Sequence, residues 1–123
     1  MSFAAMSIIT AIIAALLGLG WLFAGSLLLR RWAVPADPSA LLVGRRIGAI
    51  YIGLALLLFL ARSTPNSTAQ MALAAGFATA LALLGALGVV EFVSRRAKSG
   101  ILVSSAVEFL LSAGFISSAF ASR

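Results

Sequence analysis

Four long apolar blocks constrain this chain more than any other feature of its sequence. They cover residues 3–29, 41–61, 69–92 and 101–120. A helix needs about 20 apolar residues to cross a hydrocarbon core about 30 Å thick, and each block reaches that length. Hydrophobic residues make up 63% of the chain and charged residues only 10%, a balance outside the range of ordinary water-soluble domains. The sequence therefore predicts an all-α integral membrane protein.

The connections between the blocks are short, so one domain accounts for residues 1–123. We expect a four-helix transmembrane bundle with helices at about residues 3–29, 38–62, 68–94 and 100–121. The second helix begins before its apolar block, because Asp37 followed by Pro38 is typical of an N-cap and a first-turn proline. The first block is about twice as long as a secretory signal region and has no basic residue before it, so we expect it in the mature protein.

The basic residues predict the orientation of the bundle. Only Arg62 and Arg123 lie on the side of the second connection, whereas seven lie in or beside the first and third connections, namely Arg30, Arg31, Arg45, Arg46, Arg95, Arg96 and Lys98. Cytoplasmic connections of membrane proteins carry an excess of lysine and arginine. We therefore place the first and third connections in the cytoplasm and both termini outside, in the inner membrane of a bacterium.

The net charge of +6 would suggest a nucleic-acid partner in a soluble protein. Here the basic residues flank membrane helices, so membrane orientation explains them and no nucleic acid is expected. An anionic leaflet attracts the same side chains, which makes membrane lipids the expected partner. The candidate headgroup contacts are Arg30, Arg31, Arg45, Arg46, Arg96 and Lys98.

Small residues recur at short intervals in two of the predicted helices. They are Gly44, Gly48 and Gly53 in the second helix, and Ala74, Ala78, Ala82 and Ala86 in the third. Small side chains let the backbones of membrane helices approach closely. These positions are predicted helix-packing contacts, either within the bundle or with an oligomer or partner.

The two glutamates in the apolar blocks have different predicted roles. Glu91 precedes Arg95 by four residues, the favourable order for an ion pair on a helix, and it lies near the basic connection. An interfacial Glu91–Arg95 pair is expected. Glu108 lies about 12 Å along the helix axis from Gly100, so its carboxyl group must be neutral, paired or hydrated.

Glu108 shares one helical face with Ser105 and Ser112, because steps of three and four residues return to the same side of a helix. The hydroxyl of Tyr51 in the second helix is expected at about the same depth, and Arg46 is an alternative partner for the carboxylate. We predict an intramembrane polar site formed by Tyr51, Ser105, Glu108 and Ser112.

The chain contains no cysteine and no histidine, which excludes disulfides, thiolate chemistry, ordinary zinc sites and histidine-ligated haem. The serines have no base beside them in the sequence. We therefore expect no enzyme activity, no cofactor and no metal.

The stretch "GRRIGAIYIGLALLLFLAR", residues 44–62, resembles the small four-helix bacterial membrane proteins called DoxX-like. In that group a basic start followed by a glycine-rich second helix is common. The resemblance covers about one crossing and includes no catalytic signature. It implies four helices in a bacterial inner membrane and assigns no role to any residue.

The preferred interpretation is a non-catalytic multi-pass membrane subunit that stabilises, tethers or regulates a larger membrane complex or a homo-oligomer. The main alternative is a small proton-coupled or cation-binding transporter, for which one intramembrane carboxylate, Glu108, is chemically sufficient. A further alternative is an accessory protein associated with a lipid, quinone or pigment.

Overall fold

The computed structural model describes residues 2–121 of the chain, without the side chain of Ala121. This part forms five helices and no strand: α1 Phe3–Phe23, α2 Gly25–Arg31, α3 Pro38–Ala61, α4 Ser67–Val93 and α5 Gly100–Ala121. All except α2 are long and apolar enough to cross a membrane. The predicted all-α class with four crossings is confirmed. Arg123, which the charge pattern assigned to the outer side, lies outside the described residues.

Side chains cap the first turns of three crossings. The Ser2 hydroxyl accepts a hydrogen bond from the Ala5 N–H at 3.1 Å. The Asp37 carboxylate accepts one from the Ala40 N–H at 2.8 Å, and Pro38 follows it at the first helical position. The Asn66 amide oxygen accepts from two N–H groups of α4. These caps satisfy donors that have no partner inside the helix, so each helix start is encoded locally.

The first apolar block is not one helix, which corrects the prediction of a single helix over residues 3–29. Ala24 has φ −137° and ψ 36°, outside the helical region, and it separates α1 from α2. The side chain of Leu28 then lies beside Gly20, where an added Cβ would be 3.2 Å from Leu28 Cδ1. In a straight helix these residues would be about 12 Å apart along the axis, so the chain bends at Ala24. The 21 residues of α1 already span about 31 Å, the thickness of the hydrocarbon core.

The helices pack mainly as two pairs, α1 with α3 and α4 with α5, and α1 and α5 join the pairs. The pairs meet in an apolar core far from the basic connections. Phe115 is fully buried there, with its ring 5.6 Å from that of Phe77 on α4 and 6.5 Å from that of Phe3 on α1. Leu58 of α3 is also fully buried in this core. All four crossings therefore contribute to it.

The α1–α3 pair depends on small residues at its closest approach. A Cβ placed on Gly48 would lie 2.8 Å from the Gly18 carbonyl oxygen. A Cβ on Gly44 would lie 2.6 Å from Cε3 of Trp21, whose indole covers that glycine. Gly48 thus meets a backbone and Gly44 meets a large ring. Gly53 is different, because it is exposed and an added Cβ would meet nothing within 4 Å.

Of the predicted packing residues, Gly53 and Ala86 lie outside the buried contacts of the bundle, and Ala82 lies at their edge. Gly53 lies five residues after Gly48, about 140° around the helix from the contact face. On α4, Ala82 is half-buried and Ala86 is exposed. Each step of four residues advances about 40° beyond a full turn, so a stripe of fixed four-residue steps rotates away from its neighbour. The buried positions of α4 are Ala74, Ala78, Gly85 and Gly88. With the half-buried Leu81 between Ala78 and Gly85, they are separated by alternating steps of four and three residues, which keep to one side of the helix.

Two alanines of α4, the buried Ala78 and the exposed Ala86, provide a test of the contact face. Ala78 is 6% exposed, and its carbonyl accepts a hydrogen bond from Ser112 of α5, so Ala78→Leu overpacks the α4–α5 contact. We expect a loss of about 1–3 kcal/mol in stability. Ala86→Leu, the matched control on the exposed side, should change stability by less than about 0.5 kcal/mol. Thermal unfolding in detergent measures both; equal effects would contradict the assigned face.

The first and third connections contact each other at the basic end of the bundle. The Lys98 N–H donates to the Trp32 carbonyl at 3.1 Å, and Gly100 packs against the Arg31 carbonyl with no room for a side chain. The Trp32 ring lies 5.6 Å from the Trp21 ring. The basic residues of these two connections therefore form one surface at one end.

Candidate functional site

Glu108 lies on a face of α5 that is turned toward the other helices. The neighbouring residues of this face, Ser105 and Ser112, are 2% and 4% exposed, and Glu108 itself is half-buried. Phe115, the next residue in the alternation of three and four, is fully buried. We call Ser105, Glu108 and Ser112 the Glu108 face. Its position explains how a helix with a carboxyl group and several serines can be accommodated in a membrane, since its polar side contacts protein.

The two serines of the Glu108 face contact α4 in different ways. The Ser112 hydroxyl donates to the Ala78 carbonyl oxygen at 2.7 Å, a buried bond between crossings. The Ser105 hydroxyl packs directly against Gly88, where only a glycine leaves room for it. Ser105 Oγ has no hydrogen-bond partner among the described residues. Ser112 thus fixes α5 against α4, and Ser105 keeps an unused hydrogen-bonding group inside the bundle.

Tyr51 approaches the Glu108 face from α3. It is half-buried and close enough for an electrostatic interaction with the Glu108 carboxylate. Three of the four residues of the predicted polar site thus share the inner face of α5, and Tyr51 of α3 lies within electrostatic range of Glu108. Arg46, the alternative partner, is exposed, and it forms no ion pair with Glu108 in the described part of the chain.

Two polar residues of α1 were missed by the sequence analysis. Ser7 is fully buried and Thr10 is 4% exposed, and neither hydroxyl has a hydrogen-bond partner within residues 2–121. The signal was present, because Ser7, Thr10 and Ala14 follow steps of three and four along the buried face of α1. No site was predicted in α1 because it has no charged residue, although hydroxyl groups are common at contacts between membrane helices.

These groups define what the interior can do chemically. A carboxyl group, a phenol and buried hydroxyls can hold a proton or hydrogen-bond a polar guest. No group of three His, Cys, Asp or Glu side chains suited to a metal occurs among the residues that the structure describes.

The predicted Glu91–Arg95 pair is wrong, because Glu91 pairs with Arg96. Arg96 donates to both carboxylate oxygens, at 2.7 and 3.1 Å. The helix ends at Val93, and Arg95 turns the chain with φ 61°, so the four-residue spacing no longer places Arg95 beside Glu91. The Arg96 N–H also donates to the Glu91 carbonyl at 2.9 Å. This is the Schellman arrangement, which brings together the residues at these two positions.

The Glu91–Arg96 pair is exposed and belongs to the end of a helix rather than to the interior. The pKa of the Arg96 guanidinium is raised mainly by its hydrogen bond with Glu91 and, to a smaller extent, by the negative charge of that carboxylate.

The six candidate headgroup residues are all exposed at the basic end: Arg30, Arg31, Arg45, Arg46, Arg96 and Lys98. They are available to solvent or to lipid.

The fold and the interior define a class, an all-α protein with four candidate membrane crossings and polar groups between its helices. Comparisons with protein-family models, with curated proteins and with solved structures find no match to this chain. The DoxX-like resemblance therefore stays a prediction.

Proposed function

We propose that the chain is a non-catalytic multi-pass subunit, which stabilises, tethers or regulates a larger membrane complex or a homo-oligomer. The observation that carries this proposal is a pair of exposed small-residue positions. A Cβ added to Gly53 of α3 or to Gly76 of α4 would meet nothing within 4 Å. Within the bundle, glycines allow the close approach of α1 and α3, and the same property is unused at these two positions.

The outward side of α4 forms a surface of small residues around Gly76. Exposed small residues surround Gly76, namely Ala72, Ala75, Thr79 and Ala80. The Thr79 hydroxyl donates to the Ala75 carbonyl at 2.8 Å, so it needs no further donor or acceptor when an apolar surface covers it. This side of α4 offers another membrane helix a shallow surface without an unsatisfied side chain.

The test is purification from the native membrane in a mild detergent, followed by identification of what accompanies the chain. We expect a stoichiometric larger partner or a defined homo-oligomer. Gly76→Leu should fold normally and lose the partner, whereas Val103→Leu at an exposed position of α5 should keep it. A chain that stays monomeric under all gentle conditions would contradict the proposal, and retention of the partner by Gly76→Leu would remove α4 as its surface.

A second candidate function is proton-coupled or cation transport centred on Glu108. The location of both Glu108 and Tyr51 within candidate membrane crossings favours it. Ionisable residues in such positions are functional in many transporters. Loss of a proton-coupled flux in a normally folded Glu108→Gln variant would separate this function from a structural role.

We further propose a bacterial inner-membrane location with the basic end in the cytoplasm and both termini outside. A reporter enzyme that works only in the cytoplasm should be active when inserted near Lys98 and inactive when fused to the C-terminus. The expectation rests on the basic residues gathered at one end. The opposite pattern would reverse the orientation.

A further inference from the structure

An open pocket of about 380 Å³ lies at the basic end, between α2 and the segment that follows it. One side of the pocket is polar, formed by Ser26 and Arg30 on successive turns of α2. The other side is apolar and consists of four consecutive residues, Ala33, Val34, Pro35 and Ala36. A cation and a hydroxyl thus face a short hydrophobic wall.

The backbone fixes the shape of this pocket. The Val34 N–H donates to the Leu29 carbonyl at 3.0 Å and the Ala33 N–H to the Arg30 carbonyl at 3.0 Å. Together with φ 56° at Ala33, these bonds form a Schellman arrangement that turns the chain back along α2. The bond from the Lys98 N–H to the Trp32 carbonyl ties the turn to the third connection. The pocket is therefore formed by hydrogen-bonded backbone.

Arg30 has no carboxylate partner in the described part of the chain. Glu91 is paired with Arg96, Asp37 caps α3, and Glu108 lies far along α5. The guanidinium is exposed and can donate several hydrogen bonds to a phosphate, for which its planar geometry is well suited. Ser26 adds a hydroxyl one helical turn away. The polar side of the pocket therefore matches an anion.

The apolar surroundings favour a lipid over a free anion. Phe23, the last residue of α1, is 84% exposed, and Leu27, which follows the pocket residue Ser26 on α2, is 52% exposed. A small anion would gain nothing from these side chains or from the wall at Val34 and Pro35. A phospholipid would place its phosphate at Arg30 and its acyl chains along the apolar surface.

We propose that this pocket binds one anionic phospholipid, with its phosphate held by Arg30 and Ser26. The site differs from diffuse attraction between a basic surface and a membrane, because it assigns one lipid to one arginine among the several exposed at this end. It needs no partner protein, so its failure would leave the proposed subunit function unaffected.

Titration of the detergent-purified chain with dioctanoyl phosphatidylglycerol tests the proposal, with native mass spectrometry to count bound lipids. We expect one tightly held lipid per chain. Arg30→Gln should weaken binding by about tenfold or more, since a charge-assisted hydrogen bond is lost. Arg31→Gln is the matched control; it removes the same charge from the adjacent residue, which does not line the pocket, and should weaken binding less than about threefold.

Two further measurements decide between the alternatives. Ala36→Phe fills the pocket without changing the net charge and should also weaken binding by about tenfold. Inorganic phosphate and dioctanoyl phosphatidylcholine should each bind at least about tenfold more weakly than the anionic lipid. Equal losses in Arg30→Gln and Arg31→Gln, with full binding by Ala36→Phe, would show diffuse attraction and overturn the site. Equal affinity for inorganic phosphate would exclude a lipid as the specific ligand.

Discussion

Gly48→Leu is expected to destabilise the bundle by about 3 kcal/mol or more, an effect at the upper end for overpacking. The first added carbon alone would lie 2.8 Å from the Gly18 carbonyl oxygen and 3.0 Å from Trp21 Cβ. A carbonyl oxygen belongs to the backbone of α1 and cannot rotate away as a long side chain can. The two helices must separate, which also removes the contact of Trp21 with Gly44. Thermal unfolding and the monodisperse fraction in detergent would report the loss.

Gly53→Leu is the matched control for this experiment. It makes the same substitution on the same helix, but its added carbon would meet nothing within 4 Å. Leucine is a better helix former than glycine, so the stability of the isolated chain should stay the same or rise by up to about 1 kcal/mol. Similar damage from both substitutions would mean that the α1–α3 contact is not the one described.

Glu108→Lys is expected to be the most disruptive single change on the Glu108 face, with a loss of about 3 kcal/mol. It places an ammonium group within a crossing, on the helix face that carries the buried Ser105 and Ser112. Glu108→Gln keeps the size and the hydrogen-bonding capacity of the side chain, so we expect a change of less than about 1 kcal/mol. Glu108→Leu should be intermediate, because it removes the carboxyl group as a hydrogen-bonding group from a face that also carries the unpartnered Ser105 hydroxyl. Unfolding temperatures in detergent would rank the three variants.

The glutamine variant also separates the two proposed functions. A carboxylate that couples transport to a proton or cation cannot be replaced by an amide. If Glu108→Gln folds normally but abolishes a proton-coupled flux in reconstituted vesicles, transport becomes the leading function. Normal folding with an intact partner and no flux in the unsubstituted chain favours the subunit. Ser104→Ala, beside Ser105 but outside the Glu108 face, is the control for nonspecific effects.

The sequence predicted the crossings well because length and hydropathy are sufficient for that purpose. A membrane core demands about 20 apolar residues whatever lies beside them, and four blocks met that demand. The start of α3 was also predictable, since Asp37 and Pro38 specify a cap through contacts within a few residues. These features depend on neighbours in the chain, which the sequence displays directly.

The failures occurred where the end of a helix or a contact between helices decides the outcome. The break at Ala24 depends on how α2 folds back toward α1. Glu91 pairs with Arg96 because α4 ends at Val93, two residues before Arg95. The four-residue spacing rule applies only within a helix and does not predict where the helix ends. The contact face of α4 could not be predicted without α5, because packing against α5 is what makes Gly85 buried while the adjacent Ala86 is exposed. The pocket that Arg30 lines could not be predicted, because it is formed by a backbone turn at Ala33 that has no distinctive residue pattern.

The pairing of α1 with α3 and of α4 with α5 has a consequence for how the chain is assembled during synthesis. The first three helices can complete their closest contact before residue 67 has been made, and the last two crossings can then form a hairpin of their own. The second half would dock afterwards, with Met6 filling the space beside Gly114. Two separately produced fragments, divided in the connection between Arg62 and Asn66, would each carry a finished helix pair. The pairing therefore predicts two insertion units joined by a short connection.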